Sequence, residues 1–157
     1  MASKMSSKTV ERAKYALDTN IFVDAFNLES AARDLDEFFR RSIGLTFLSA
    51  IVVQELRAGT RTPREVRLLE RSIIEPFERR GRVFAPSPAA FKLSGRILAD
   101  LTAAEGQEFV RSQRSLPNDT LLAASCREHG LTLISRDRDF ERFSSSLGRW
   151  RAVQPWP

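Results

Sequence analysis

Five acids, Asp18, Glu55, Asp119, Asp137 and Asp139, carry the chemistry that this chain is equipped for. Asp18 closes the run Tyr15-Ala-Leu-Asp18 and is followed at once by a hydroxyl and an amide, Thr19 and Asn20. Three strand-compatible residues thus lead into a carboxylate just before Ile21-Phe-Val-Asp-Ala-Phe26, which reads as a helix. A carboxylate at such a junction stands where open α/β sheets build their sites. The other acids each fall beside a similar strand or helix start. At about 4 Å separation two carboxylates repel by about 4 kcal/mol at an effective dielectric of 20. A cluster of four must therefore hold protons or bind a cation, and an all-oxygen donor set suits Mg²⁺ or Mn²⁺. Such an ion polarises a phosphoryl oxygen and lowers the pKa of bound water, which supplies a nucleophile without any histidine. Thr19, Asn20 and Ser135 can hydrogen-bond the acids and orient them. A single Asp at a strand end is more often a cap or turn residue, so the combination carries the argument.

The composition narrows the alternatives. With one Cys and one His, neither an intramolecular disulfide framework nor a Cys/His zinc site is expected, and a histidine pair cannot serve as acid and base. Cys126 falls at helical spacing from Leu122 and reads as a buried thiol. His129 reads as a last-turn residue ahead of a Gly130 cap. The net charge of +5 favours acidic partners, nucleic acid first. Arg111, Arg114, Arg136 and Arg138 lie near the acids in sequence and are candidate phosphate contacts, although Arg136 and Arg138 also serve to offset Asp137 and Asp139. No apolar run approaches a membrane span, and the polar N-terminus is not a signal peptide, so a cytoplasmic protein with no membrane association is expected. Residues 1–13 read as a flexible tail and 14–157 as one domain.

Elements able to position the acids follow in order. Strand candidates are Tyr15–Leu17, Leu45–Ser49, Gly81–Ala85, Leu131–Ile134 and the stretch around Trp150–Val153. Helical periodicity covers Glu29–Ser42, with Ala32, Leu35, Phe38 and Phe39 on one side, and Ala50–Ala58, which Ser49 caps and Gly59 ends. Thr62-Pro63 opens a longer helix that Pro76 should kink or end. Ser87-Pro88 opens another, with Phe91, Leu93, Ile97, Leu98 and Leu101 as its apolar side. Residues 106–115 are polar and helix-like or irregular, and Pro117–His129 is a helix with Asp119 in its first turn. Strands alternating with helices imply an α/β fold with a mostly parallel sheet.

Four blocks, Leu17-Asp-Thr-Asn20, Val53-Gln-Glu-Leu56, Asn118-Asp-Thr-Leu-Leu-Ala-Ala124 and Leu133-Ile-Ser-Arg-Asp-Arg-Asp-Phe140, resemble in order and spacing the PIN domain, and more closely the VapC-type toxins of toxin–antitoxin pairs. The resemblance spans about Tyr15 to Phe143. It implies a sheet of about five parallel strands flanked by helices on both faces. It also implies a Mg²⁺- or Mn²⁺-dependent endoribonuclease that acts on structured RNA such as tRNA or rRNA. Asp18, Glu55, Asp119 and Asp137 occupy its four acidic positions, and Asp139 matches a frequent fifth acid acting through water or from outside the metal's ligand set. Ser135 stands where Thr is common, which keeps the hydroxyl. The implied partners are a small cognate antitoxin, whose C-terminal segment lies in a groove near the site, and a second copy of the chain. Homodimers or toxin–antitoxin hetero-oligomers are therefore expected.

Two other classes compete. An aspartyl-phosphate enzyme would place a second Asp two residues after the first, or a lysine after a later strand. Here Thr-Asn-Ile follows Asp18, and lysine is scarce beyond Lys14. A catalytically silent RNA- or protein-binding module of the same fold is the other alternative, and the presence of all four acids weighs against it.

Overall fold

The computed structural model describes residues 12–157. The tail expected over residues 1–13 lies outside the described residues apart from Arg12 and Ala13, which are exposed. Five short strands, β1 (Lys14–Leu17), β2 (Thr46–Ser49), β3 (Val83–Phe84), β4 (Leu131–Ile134) and β5 (Ala152–Val153), form one parallel sheet in the order β3-β2-β1-β4-β5. β1 is central, pairing Tyr15 with Thr46 on one side and with Thr132 on the other. Because the chain moves from β1 outward to β2 and β3, then returns to β4 on the opposite side, the order reverses between β1 and β4. Parallel sheets covered on both faces carry near-continuous apolar strands, and β4 buries Leu131, Leu133 and Ile134.

The covering helices are α1 (Thr19–Asn27), α2 (Glu29–Ser42), α3 (Ala50–Gly59), α4 (Pro63–Leu69), α5 (Glu75–Glu78), α6 (Pro88–Glu105), α7 (Gln107–Ser112), α8 (Leu116–Glu128) and α9 (Ser144–Leu147). Their starts follow the expected chemistry. Ser49 accepts from the Ile51 N–H at 3.2 Å, Thr62 from that of Glu65 at 3.2 Å and Ser87 from that of Ala90 at 3.2 Å. At the end of α8 Gly130 takes φ 66°, a left-handed turn that favours glycine. His129 is the structural residue expected: its Nδ1 lies 2.8 Å from the Ser125 carbonyl and its ring packs on Phe84. No described helix is long and apolar enough to cross a membrane.

One local expectation is borne out and one is corrected. The helix expected to kink or end near Pro76 stops at Glu78, two residues beyond it. Residues Glu70–Ile74 widen into a π turn, in which the Glu75 N–H reaches the Glu70 carbonyl, and the helical path continues into α5. Widening the turn accommodates the missing proline donor. Phe91 is not on the buried side of α6 but is 59% exposed, because that side is formed by Ala90, Ser94, Ile97 and Leu101. The Ser94 and Thr120 hydroxyls hydrogen-bond at 2.7 Å between α6 and α8, so a serine occupies the buried stripe at little polar cost.

Candidate active site

Asp18 caps α1 directly from the end of β1, so the helix begins at Thr19, two residues earlier than its apolar pattern suggests. The Asp18 N–H donates to the Ile134 carbonyl at 3.0 Å, which fixes this junction to the end of β4. That places Asp18 in the crevice at the strand-order reversal, the position at which open parallel sheets bind ligands. Asp18 as a whole is 6% exposed. Oδ1 accepts from the Thr19 N–H at 2.7 Å, and Oδ2 accepts from Ser135 Oγ at 2.7 Å and Asn20 Nδ2 at 2.9 Å. The three polar residues singled out in sequence thus converge on the acids. Ser135 Oγ also receives the Asp137 N–H at 3.0 Å, and Thr19 Oγ1 donates to Glu55 Oε2 from α1 to α3.

Glu55 is held from its other side by Asn118 Nδ2, at 2.9 Å from Oε1. Asn118 precedes Asp119 in the first turn of α8, so one turn links two of the four acids. Asn118 escaped the residue-type reading, although a side-chain amide next to a candidate acid was an available signal.

Burial raises the Asp18 carboxyl above its usual range; hydrogen bonds from Ser135 and Thr19 oppose this, and the charges of Glu55 and Asp137 add to it. Burial pushes Asp119 up to about 7; a hydrogen bond with Ser115 opposes the rise and the charges of Asp18, Asp137 and Glu55 reinforce it. Asp18, Glu55, Asp119 and Asp137 therefore feel one another as a cluster. Asp139 stands apart. Its N–H caps Asp137 Oδ1 at 2.8 Å, while its carboxylate lies 3.8 Å from Arg142 with the side chain 58% exposed. Arg111, Arg114, Arg136 and Arg138 are all exposed. Arg136 does not offset Asp137 or Asp139, since its Nε contacts Asp24 Oδ2 at 2.6 Å. The Cys126 thiol is fully buried and pushed far up by that burial, as expected of an inert core residue.

Whether these residues fit a divalent cation can be tested on charge and donor chemistry. None of Asp18, Glu55, Asp119 and Asp137 has an ion-pair partner among the described residues. Their neighbours are neutral hydroxyls, amides and backbone N–H groups, which orient oxygens without cancelling charge. An uncompensated all-oxygen set of this kind fits a hard divalent cation. No group of three or more Asp, Glu, His or Cys side chains among the described residues is gathered to hold an ion as it stands, so binding requires side-chain rearrangement.

The chain thus folds as an open parallel α/β sheet with Asp18 at its strand-order reversal and Glu55, Asp119 and Asp137 near enough for their charges to act on it or on one another. The PIN domain family matches residues 15–145, and the chain belongs to that family of nucleases. Among solved structures the fold is similar to DNA-bound VapBC from Salmonella typhimurium (23% identity, TM-score 0.65, 91% of this chain and 98% of that one). It is also similar to FitAcB from Neisseria gonorrhoeae (23%, 0.62, 88% and 96%) and to VapBC2 from Rickettsia felis bound to a promoter DNA fragment (21%, 0.59, 91% and 98%). No curated protein matches the sequence.

Proposed function

We propose that the chain is a metal-dependent endoribonuclease of the VapC type, the toxin of a toxin–antitoxin pair, acting on structured RNA. The observation that carries this reading is the set of four mutually repelling acids at the sheet crevice, oriented by neutral donors and paired with no cation. Asp18, Glu55, Asp119 and Asp137 would hold Mg²⁺ or Mn²⁺. When bound, such an ion polarises the phosphoryl group and lowers the pKa of water. Ser135 and Asn20 fix the Asp18 oxygens, while Thr19 and Asn118 hold the two oxygens of Glu55. Protons and cations compete for Asp119, so cation binding releases a proton near neutral pH. Arg111, Arg114 and Arg138, exposed near the acids in sequence, supply phosphate contacts.

Beside the acids α1, α3 and α4 leave a groove of about 620 Å³, lined by Val23, Phe26, Leu56, Leu68 and Leu69 with Glu55 at one border. Phe26 and Leu68 are 46% and 53% exposed. An apolar groove that opens onto Glu55 suits the C-terminal segment of an antitoxin, and the solved complexes named above support a partner of that kind.

The test is RNA cleavage by the partner-free protein with Mg²⁺ or Mn²⁺, with EDTA, and beside Asp18→Asn. Metal-dependent cleavage that is lost in the variant and leaves 5′-phosphate and 3′-hydroxyl ends is expected. Ends carrying a 2′,3′-cyclic phosphate would sink the water-attack mechanism. A catalytically silent binding module is the second reading, favoured by the lack, among the described residues, of three acid side chains gathered closely enough to hold an ion. RNA or cation binding without cleavage of total tRNA and rRNA would select it.

A further inference from the structure

The loop after β4 carries Ser135, Asp137 and Asp139, yet it belongs to neither the sheet nor an α-helix, and residues Arg138–Phe143 form only a 3₁₀ turn. Ser135 is anchored by the sheet: its N–H donates to the Val153 carbonyl at 3.0 Å. Beyond it, the Asp137 N–H donates to Ser135 Oγ at 3.0 Å, a bond within the loop, and a contact from the loop to a neighbouring element would hold Asp137 more firmly relative to Asp18. Arg136 supplies contacts of the required kind. Its N–H donates to Asn20 Oδ1 at 3.3 Å, and its Nε meets Asp24 Oδ2 at 2.6 Å. Asn20 and Asp24 are four residues apart on α1, hence neighbours on one helix face. Both belong to the helix that Asp18 caps. Among the described residues this is the one ion pair that joins the loop to another element. Asp24 is not a member of the acid cluster, and nothing in its sequence neighbourhood marks it for chemistry.

We propose that Asp24 and Arg136 are positioning residues that clamp the Asp137 loop to α1 and so set Asp137 against Asp18. The assignment takes Arg136 out of the set of phosphate contacts and gives Asp24 a role. Its catalytic consequence rests on the nuclease reading, whereas the clamp itself does not. A partly exposed ion pair adds little to global stability. Its effect is therefore local, and loss of an outer partner that orients a ligand typically lowers activity about 10- to 100-fold.

The experiment compares Asp24→Asn, Arg136→Gln, the double variant and the charge-exchanged Asp24→Arg/Arg136→Asp. Amide hydrogen exchange of Arg136, Asp137 and Asp139 is followed by NMR without metal, together with Tm and, on total tRNA with Mn²⁺, kcat and KM. The clamp predicts about tenfold faster exchange at these amides in each single variant, with no further increase in the double variant and partial return in the exchanged pair. Tm stays nearly constant. Both single variants lower kcat about tenfold at unchanged KM. Unchanged exchange overturns the clamp. A raised KM in Arg136→Gln alone, with Asp24→Asn at wild-type activity, returns Arg136 to phosphate contact and overturns the positioning role. If the wild-type protein cleaves no RNA, the nuclease reading fails while the exchange rates still decide the clamp.

Discussion

Asp119→Asn should make the metal-free protein more stable while abolishing cleavage. In the folded chain burial and three neighbouring charges push Asp119 from 3.8 to about 7. The carboxyl is therefore protonated when folded and ionised when unfolded across the interval between those values. A raised folded-state pKa contributes stability that is fully present below about pH 4 and is lost as pH rises through about 7. At 1.36 kcal/mol per pH unit, the displacement corresponds to about 4 kcal/mol lost by pH 8. Asparagine is isosteric and carries no charge. The variant should match wild type near pH 4 and exceed it by about 2–4 kcal/mol at pH 8, the lower figure allowing for water around a half-buried group. Urea unfolding in EDTA at pH 4.5, 6 and 8 measures the difference directly, and the other acids contribute to both proteins. Adding Mg²⁺ should narrow the gap by stabilising only the wild type. A stability difference independent of pH would refute the account of Asp119 as a strained carboxyl.

Thr19→Val removes the hydroxyl that holds Glu55 while keeping the side-chain shape; kcat should fall about 10- to 100-fold with a change in unfolding free energy near 1 kcal/mol. Single-turnover cleavage beside urea titration checks both. Ser135→Ala leaves Asp18 Oδ2 and the Asp137 N–H short of a buried partner, so destabilisation of about 1–3 kcal/mol is expected by urea unfolding. Arg138 is exposed and has no ion pair among the described residues. Arg138→Gln should therefore weaken RNA binding and reduce the slope of log K against log salt by about 0.7–0.9, measured by fluorescence anisotropy.

The strands were legible because a parallel sheet covered on both faces needs short apolar runs, and the five stretches singled out each contain one. Asp18 and Asp119 were legible because one caps α1 and the other lies in the first turn of α8, where residue type and local geometry are coupled; Glu55, in the middle of α3, and Ser135 were legible only as parts of the four-block pattern. The exposure of Phe91 was not. Along α6 the buried stripe falls one residue before it, about 100° around the axis, and includes a serine that only the hydroxyl of Thr120 makes tolerable. Hydropathy sees Phe91 as core and Ser94 as surface, and the pairing that reverses this comes from another helix. The bond from Asn118 to Glu55 and that from Arg136 to Asp24 share this character. Each joins residues far apart in sequence, and neither partner's immediate neighbourhood records the other.

The choice of neutral groups around the acids follows from what the site has to retain. An arginine or lysine at Asn118 or Asn20 would hold a carboxylate more strongly than an amide does, because charge-assisted bonds are roughly twice as strong. It would also occupy the charge to which a divalent cation is drawn. Thr19, Asn20, Asn118 and Ser135 orient the carboxylates of Asp18 and Glu55 with neutral groups that add no charge. The cost appears in the raised pKa values of Asp18 and Asp119, to which burial contributes most and the neighbouring acid charges add. Cations are present nearby but directed elsewhere: Arg136 binds Asp24 and Arg142 approaches Asp139. The same loop therefore carries Asp137 and directs its own Arg136 to Asp24 on α1, so that Asp137 keeps no ion-pair partner among the described residues, as the proposed cation site requires.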